Sequence, residues 1–128
     1  MLITDILVNL IKFDGMTIPI SRGETTYFTI SFHDQQGQQI LLTSSDTLTF
    51  GVKRNPDDVN FILKKTVPTY TDFEGGYPFA LTTTETNITP GRYYFDITIK
   101  RSGGVFIRPI QDKQLIVKPS VTKIGDVT

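Results

Sequence analysis

Between Ile88 and Arg101 the chain alternates strictly. Tyr93, Phe95, Ile97 and Ile99 fall on one side of an extended backbone, and Tyr94, Asp96, Thr98 and Lys100 on the other. This period of two marks a strand with one buried and one wettable face. The pair Pro90-Gly91 supplies the turn that opens it. The same grammar recurs upstream. Phe28, Ile30 and Phe32 alternate with Tyr27, Thr29, Ser31 and His33, and Leu48, Phe50 and Val52 alternate through Thr47–Arg54. Further strands are predicted over 60–67, ended by Pro68, then over 77–81 and 105–118. In the last of these Pro109 has no N–H to give a ladder, so a bulge or an edge is expected near Pro109 or Asp112. The apolar stretch 3–13 fits a helix through Leu2/Ile3, Ile6/Leu7 and Leu10/Ile11, and a strand through Ile6, Val8 and Leu10. Its β-branched content and the rest of the chain favour one strand, broken at Asp14-Gly15 and resumed over Met16–Ile20.

Turn signals separate these segments: Ser21-Arg22-Gly23-Glu24, the polar loop around Gly37, Ser44-Ser45-Asp46, Asn55-Pro56-Asp57-Asp58, the loop Tyr70–Gly76, and Ser102-Gly103-Gly104. About seven short strands with this punctuation predict an all-β fold, an immunoglobulin-like antiparallel β-sandwich. One detail is more specific. Gly91, Tyr93 and Phe95 reproduce the layout of a tyrosine corner, with a Gly two residues before the Tyr and a core position two residues after it. Phe95 stands where antibody domains place a disulfide cysteine, and this chain has no cysteine. Its 128 residues suit one domain, with the sandwich over 1–118 and a polar, extended C-terminal arm over 119–128 that begins at Pro119.

Composition narrows the function classes. Thirteen basic residues balance thirteen acidic ones. There is no basic excess of the kind that nucleic acid or an anionic membrane would select. No apolar run approaches the roughly 20 residues of a membrane-spanning helix. The N-terminus carries Asp5 and lacks a basic region and a small-residue cleavage site, so no signal peptide is expected.

Candidate chemistry is sparse. His33 is the single histidine and is predicted to lie on a surface face beside Asp34. No nucleophile motif accompanies it, so no enzyme is expected. Asp57-Asp58, and Asp72 with Glu74, could bridge calcium, but the spacing is not that of an EF-hand and solvated turns explain it equally well. No cofactor or metal is expected. Asn87-Ile88-Thr89 is a formal glycosylation sequon, inert without a secretory leader. The candidate contact residues are five aromatics, Tyr27, Tyr70, Phe73, Tyr77 and Tyr94. Exposed, they would anchor a protein interface or stack sugars; otherwise they are cross-strand packing.

Four segments line up in order. Ile20-Ser21-Arg22-Gly23-Glu24-Thr25 precedes an alternating strand. A Gly-centred loop leads to Ile40-Leu41-Leu42 and Thr47-Leu48-Thr49-Phe50-Gly51-Val52-Lys53-Arg54. Thr89-Pro90-Gly91-Arg92-Tyr93-Tyr94-Phe95-Asp96-Ile97 runs into the Gly103-Gly104 hairpin, and Leu115-Ile116-Val117 and Val121-Thr122 follow. Over about residues 20–122 this resembles the Ig-like N-terminal domain of baseplate upper proteins and related tail modules of bacteriophages of Gram-positive hosts. The resemblance implies a non-enzymatic virion structural protein, made in the host cytoplasm and placed in a tail, baseplate or capsid surface. Its partners would be other virion proteins, with homo-oligomers inside a symmetric assembly. The alternative expectation is a carbohydrate-binding module for host adhesion. That needs two or three exposed aromatics in one plane, or a calcium loop.

Overall fold

The computed structural model describes residues 3–9, 11–13, 17–69 and 76–119. Within them lie nine strands: β1 (Ile3–Val8), β2 (Ile11–Phe13), β3 (Thr17–Ser21), β4 (Thr26–His33), β5 (Thr47–Lys53), β6 (Leu63–Val67), β7 (Tyr77–Leu81), β8 (Gly91–Lys100) and β9 (Phe106–Lys118). A four-stranded sheet has the order β2-β1-β4-β7, and a five-stranded sheet the order β3-β9-β8-β5-β6. The two sheets bury their apolar faces against each other. The alternation read along β4, β5 and β8 is realised: Phe28, Ile30, Phe32, Leu48, Phe50, Val52, Tyr93, Phe95, Ile97 and Ile99 are all buried. Aromatic rings join the layers. Phe28 stacks on Phe79 within the four-stranded sheet at 4.9 Å and meets Phe50 of the other sheet at 5.3 Å, and Phe50 stacks on Phe95 at 5.6 Å.

The first predicted strand is three. Val8 pairs with Ile11, so the expected continuous strand over 3–13 folds back as a hairpin. The cause is Asn9, which takes the left-handed conformation (φ 49°) that Asn tolerates better than most residues. Asn9 is also tied to the next strand. Its backbone N–H donates to the Tyr27 carbonyl at 2.7 Å, and its side-chain Oδ1 accepts the Tyr27 N–H at 3.0 Å. β3 then crosses to the other sheet and pairs parallel with β9, the one parallel pair among the described strands. Pro19 is accommodated because β3 is an edge strand.

The predicted strand over 60–67 begins at Leu63 and joins the five-stranded sheet, where Gly51 pairs with Lys64 and Thr49 with Thr66. The loop after β5 is long enough to fold back beside its own strand, and Ile62 donates to the Val52 carbonyl at 2.8 Å. Both sites proposed for irregularity in β9 are used. Phe95 pairs with Lys113, Ile97 with Ile110 and Ile99 with Ile107, so the register slips twice. Asp112 (φ 54°) lies in one slip and Pro109 in the other. Bulges of this kind re-aim side chains and are managed features of sheets.

The corner is present. The Tyr93 hydroxyl donates to the Thr89 carbonyl at 2.6 Å and accepts from the Arg54 guanidinium at 3.3 Å. Gly91 has φ 151°, open to glycine and costly for other residues. Tyr93→Phe is expected to cost about 1–2 kcal/mol, the range for a part-buried hydrogen bond left unmade. An unchanged urea midpoint would show that the hydroxyl contributes nothing.

Two carboxylates tie loops to the sandwich. Asp46 accepts from the Thr43 amide at 2.9 Å, the Ser102 amide at 3.3 Å and Arg101 at 3.4 Å. The Thr43 amide foremost holds its carboxyl below the usual range; burial opposes, and the Ser102 amide and Arg101 assist. Burial pushes the Glu85 carboxyl up, but the Lys65 ammonium at 2.7 Å and the Thr82 amide at 2.9 Å together hold it below the ordinary value. A depressed carboxylate stabilises the fold above its unfolded pKa, and that contribution is lost as pH falls through the folded value. The melting temperature is therefore expected to fall below about pH 4, where unfolded carboxylates protonate. Asp46→Asn should flatten that fall. An identical acid profile in the variant would remove Asp46 from the account.

Candidate functional site

The outer face of the five-stranded sheet carries a shallow groove of about 280 Å³. Its floor comes from outward positions of adjacent strands. Thr47 and Thr49 of β5 stand beside Lys100 and Thr98 of β8, and Gly51 stands beside Asp96. Lys64 of β6 borders Gly51 on one side, and Phe106 and Arg108 of β9 close the other. The β9 slip between Ile107 and Ile110 places Arg108 and Pro109 opposite Thr98.

Two phenyl rings frame the groove. Phe61 comes from the loop after β5 and lies over Gly51, where a Cβ would come within 2.6 Å of its ring. A side chain at position 51 would displace this ring from its place against β5. Phe61 is 37% and Phe106 57% exposed. Lys53 and Lys64 stand 5.8 and 5.7 Å from the centre of the Phe61 ring, and Arg108 stands 5.5 Å from that of Phe106. These are cation–π distances. Near Phe61 the loop also presents Val59 and Ile62, both exposed.

Beneath this rim sits a closed ionic cluster. The Lys53 ammonium lies 3.0 Å from Asp112 and 3.4 Å from Asp96, and donates to the Pro56 carbonyl at 3.1 Å. The Asp112 amide donates to Asp96 at 2.6 Å. Lys53 and Asp96 are buried. The hydrogen bond to Asp112 foremost raises the Lys53 pKa, with burial opposing and the charges of Asp96 and Asp112 assisting. The carboxylate of the floor is thus engaged from within. Lys64, Lys100 and Arg108 are exposed and make no ion pair among the described residues. The Thr47, Thr49 and Thr98 hydroxyls likewise make no hydrogen bond within the described chain.

Of the five aromatics expected at a contact surface, the three described ones, Tyr27, Tyr77 and Tyr94, do not share a face. Tyr27 is 63% exposed on β4, in the four-stranded sheet, whereas Tyr94 is half-buried on β8, in the other sheet. The two outward faces point in opposite directions. Tyr77 corrects the expectation outright. It is fully buried, its ring packs near Phe32, and its hydroxyl accepts the Leu42 N–H. It faces inward because alternation in β7 puts Tyr77, Phe79 and Leu81 on one side, all in the core. Its role is to fix Ile40-Leu41-Leu42 against the core. Tyr70 and Phe73, and Asp72 and Glu74 of the calcium reading, lie outside the described residues. Asp58 caps its own turn by accepting the Asn55 amide at 3.0 Å. His33 stands 3.1 Å from Asp5 on the four-stranded sheet, remote in topology from the groove. Among the described residues no cluster of three or more His, Cys, Asp or Glu is placed to hold a metal ion.

The groove residues were partly readable. Thr47, Thr49, Thr98 and Lys100 are outward positions of correctly read strands. Phe61 and Phe106 lie at the margins of the alternating runs, and only the pairing of β6 and β9 brings them to one face.

Two sheets packed face to face, an N-terminal segment that switches between them and a tyrosine corner define an immunoglobulin-like β-sandwich. No protein-family model matches the chain. No curated protein matches it either. Among solved structures, murine CRIg is similar at 10% sequence identity, covering 83% of this chain and 93% of that one, with a TM-score of 0.41.

Proposed function

We propose that this chain is a non-enzymatic structural subunit of a bacteriophage virion, in a tail, baseplate or capsid surface. It works through protein–protein contacts on the outer face of its five-stranded sheet. The observation that carries the reading is the groove itself. Two exposed phenyl rings share one face with three cations and three threonine hydroxyls that have no ion-pair or hydrogen-bond partner among the described residues. Apolar anchors ringed by polar groups are the usual anatomy of a protein contact. The sequence resemblance over about residues 20–122 supplies the setting.

A saccharide-binding role has less support. It needs two or three exposed aromatics in one plane, or a calcium loop; Tyr27 and Tyr94 face opposite ways and Tyr77 is buried, while Tyr70, Phe73, Asp72 and Glu74 lie outside the described residues. The test is quantitative mass spectrometry of gradient-purified phage particles from the source of the chain. The proposal expects a fixed copy number that is a multiple set by tail or capsid symmetry. Absence from particles, with the protein abundant in infected cells, would contradict it.

A further inference from the structure

We propose that the groove between Phe61 and Phe106 seats an acidic polypeptide segment of a different protein, one that interleaves carboxylates with apolar side chains. This rests on reading the chain as a contact-making subunit, and names the chemistry of its partner.

Charge complementarity selects this occupant. Lys64, Lys100 and Arg108 surround the groove from three different strands. None is neutralised within the described chain. The acidic residue of the lining, Asp96, is buried and already holds Lys53 and the Asp112 amide. The groove lining therefore presents positive charge without a matching exposed anion among its own residues. The net charge of the whole chain is zero, so this is a local feature.

The phenyl rings add the second requirement. They line the groove with apolar surface that a purely acidic ligand would leave in water. Carboxylates spaced by apolar side chains satisfy both at once. The threonine hydroxyls can then donate to the carboxylates or to the peptide carbonyls.

Other occupants fit less well. A second copy bound by the same face in a two-fold dimer would set these three cations against their own images. Nucleic acid selects longer basic tracts, with roughly 6–10 phosphate contacts in a typical site. A neutral sugar calls for carboxylate or amide side chains aimed at its hydroxyls, and the lining carboxylate is taken.

The test is NMR titration of the amide-labelled protein with three probes: a short peptide alternating Glu and Leu, the same peptide with Lys for Glu, and polygalacturonate as an acidic saccharide. The Glu-Leu peptide should bind, with shifts centred on Thr47, Thr49, Thr98 and Lys100. The Lys peptide should not. The double variant Lys100→Glu/Arg108→Glu should weaken the Glu-Leu peptide by about tenfold or more, and should now accept the Lys peptide. Both side chains are exposed, so the variant is expected to fold. Lys64→Glu reads the opposite wall and should weaken binding in the same direction.

Equal binding of both peptides, shifts away from the groove, or no effect of charge reversal would overturn the proposal. So would polygalacturonate binding at the groove where the Glu-Leu peptide fails. The copy number in particles does not depend on these outcomes. A failed titration therefore leaves the virion reading standing, and absence from particles leaves the peptide result standing.

Discussion

Truncating Phe28 to Ala is expected to destabilise the domain by about 3–5 kcal/mol, the range for removing a buried phenyl ring. Phe28 is 1% exposed. It stacks on Phe79 and tilts against Phe50, so it touches both sheets at the centre of the sandwich. The cavity left behind cannot collapse without moving two other rings. A domain of this size has about 5–15 kcal/mol in hand, so the loss is a large share. The neighbouring substitution Tyr27→Ala is the control. Tyr27 points outward, and its removal should stay within about 0.5 kcal/mol. Urea unfolding of the pair reads the register of β4 directly. Comparable losses would mean that the two faces are not distinguished as described.

Replacing Lys53 by Met should cost about 2–4 kcal/mol. That is somewhat less than the roughly 3–5 kcal/mol of a fully buried broken pair, because Asp112 keeps contact with water. The ammonium is shared by Asp112, Asp96 and the Pro56 carbonyl. Without it, buried Asp96 keeps the Asp112 amide but loses its counter-charge. Asp112 loses the partner that helps hold its left-handed backbone in the bulge. The pH dependence has a definite sign. A lysine whose folded pKa is raised stabilises fully below its unfolded value, and the contribution fades as pH rises through the folded value. Wild-type protein should therefore lose stability above about pH 10.4, the ordinary lysine value. The Met variant should lose less over that window. Pairing it with Asp96→Asn should recover part of the loss, since the second change removes the stranded charge. A double variant no more stable than Lys53→Met alone would contradict this.

Much of the fold was legible because one physical rule dominates it. A sandwich strand buries alternate residues; β4 obeys that rule throughout, and β5 and β8 depart from it at Gly51, Lys53 and Asp96, outward positions that are covered as well. The corner was legible from three residues, Gly91, Tyr93 and Phe95. The N-terminal hairpin was hidden because Asn9 interrupts an apolar run without breaking its hydrophobicity. Its left-handed turn depends on the backbone of Tyr27, eighteen residues away. The placement of β6 was hidden because the choice between sheets is made by the loop after β5.

The functional face was harder. Exposure of an aromatic depends on which side of a strand it occupies and on what covers it. Tyr77 shows the first effect: its strand is short, and reading it as partly exposed ignored its partners Phe79 and Leu81. Phe61, in the loop after β5, shows the second, because Gly51 of that strand makes room for it. Neither alternation nor composition reports that pairing. Of the aromatics salient in the sequence, the described ones, Tyr27, Tyr77 and Tyr94, are therefore not the ones that frame the groove.

We propose above all that this domain works by holding a neighbour on the outer face of its five-stranded sheet. Amine-directed cross-linking of intact particles, read by mass spectrometry, tests it most directly, because Lys64 borders the groove on β6 and Lys100 stands on its floor on β8. Both lysines are expected to link to a different virion protein, near a stretch rich in Asp or Glu. Links from Lys64 and Lys100 confined to this chain, with neighbours reached only from the other sheet, would contradict the claim.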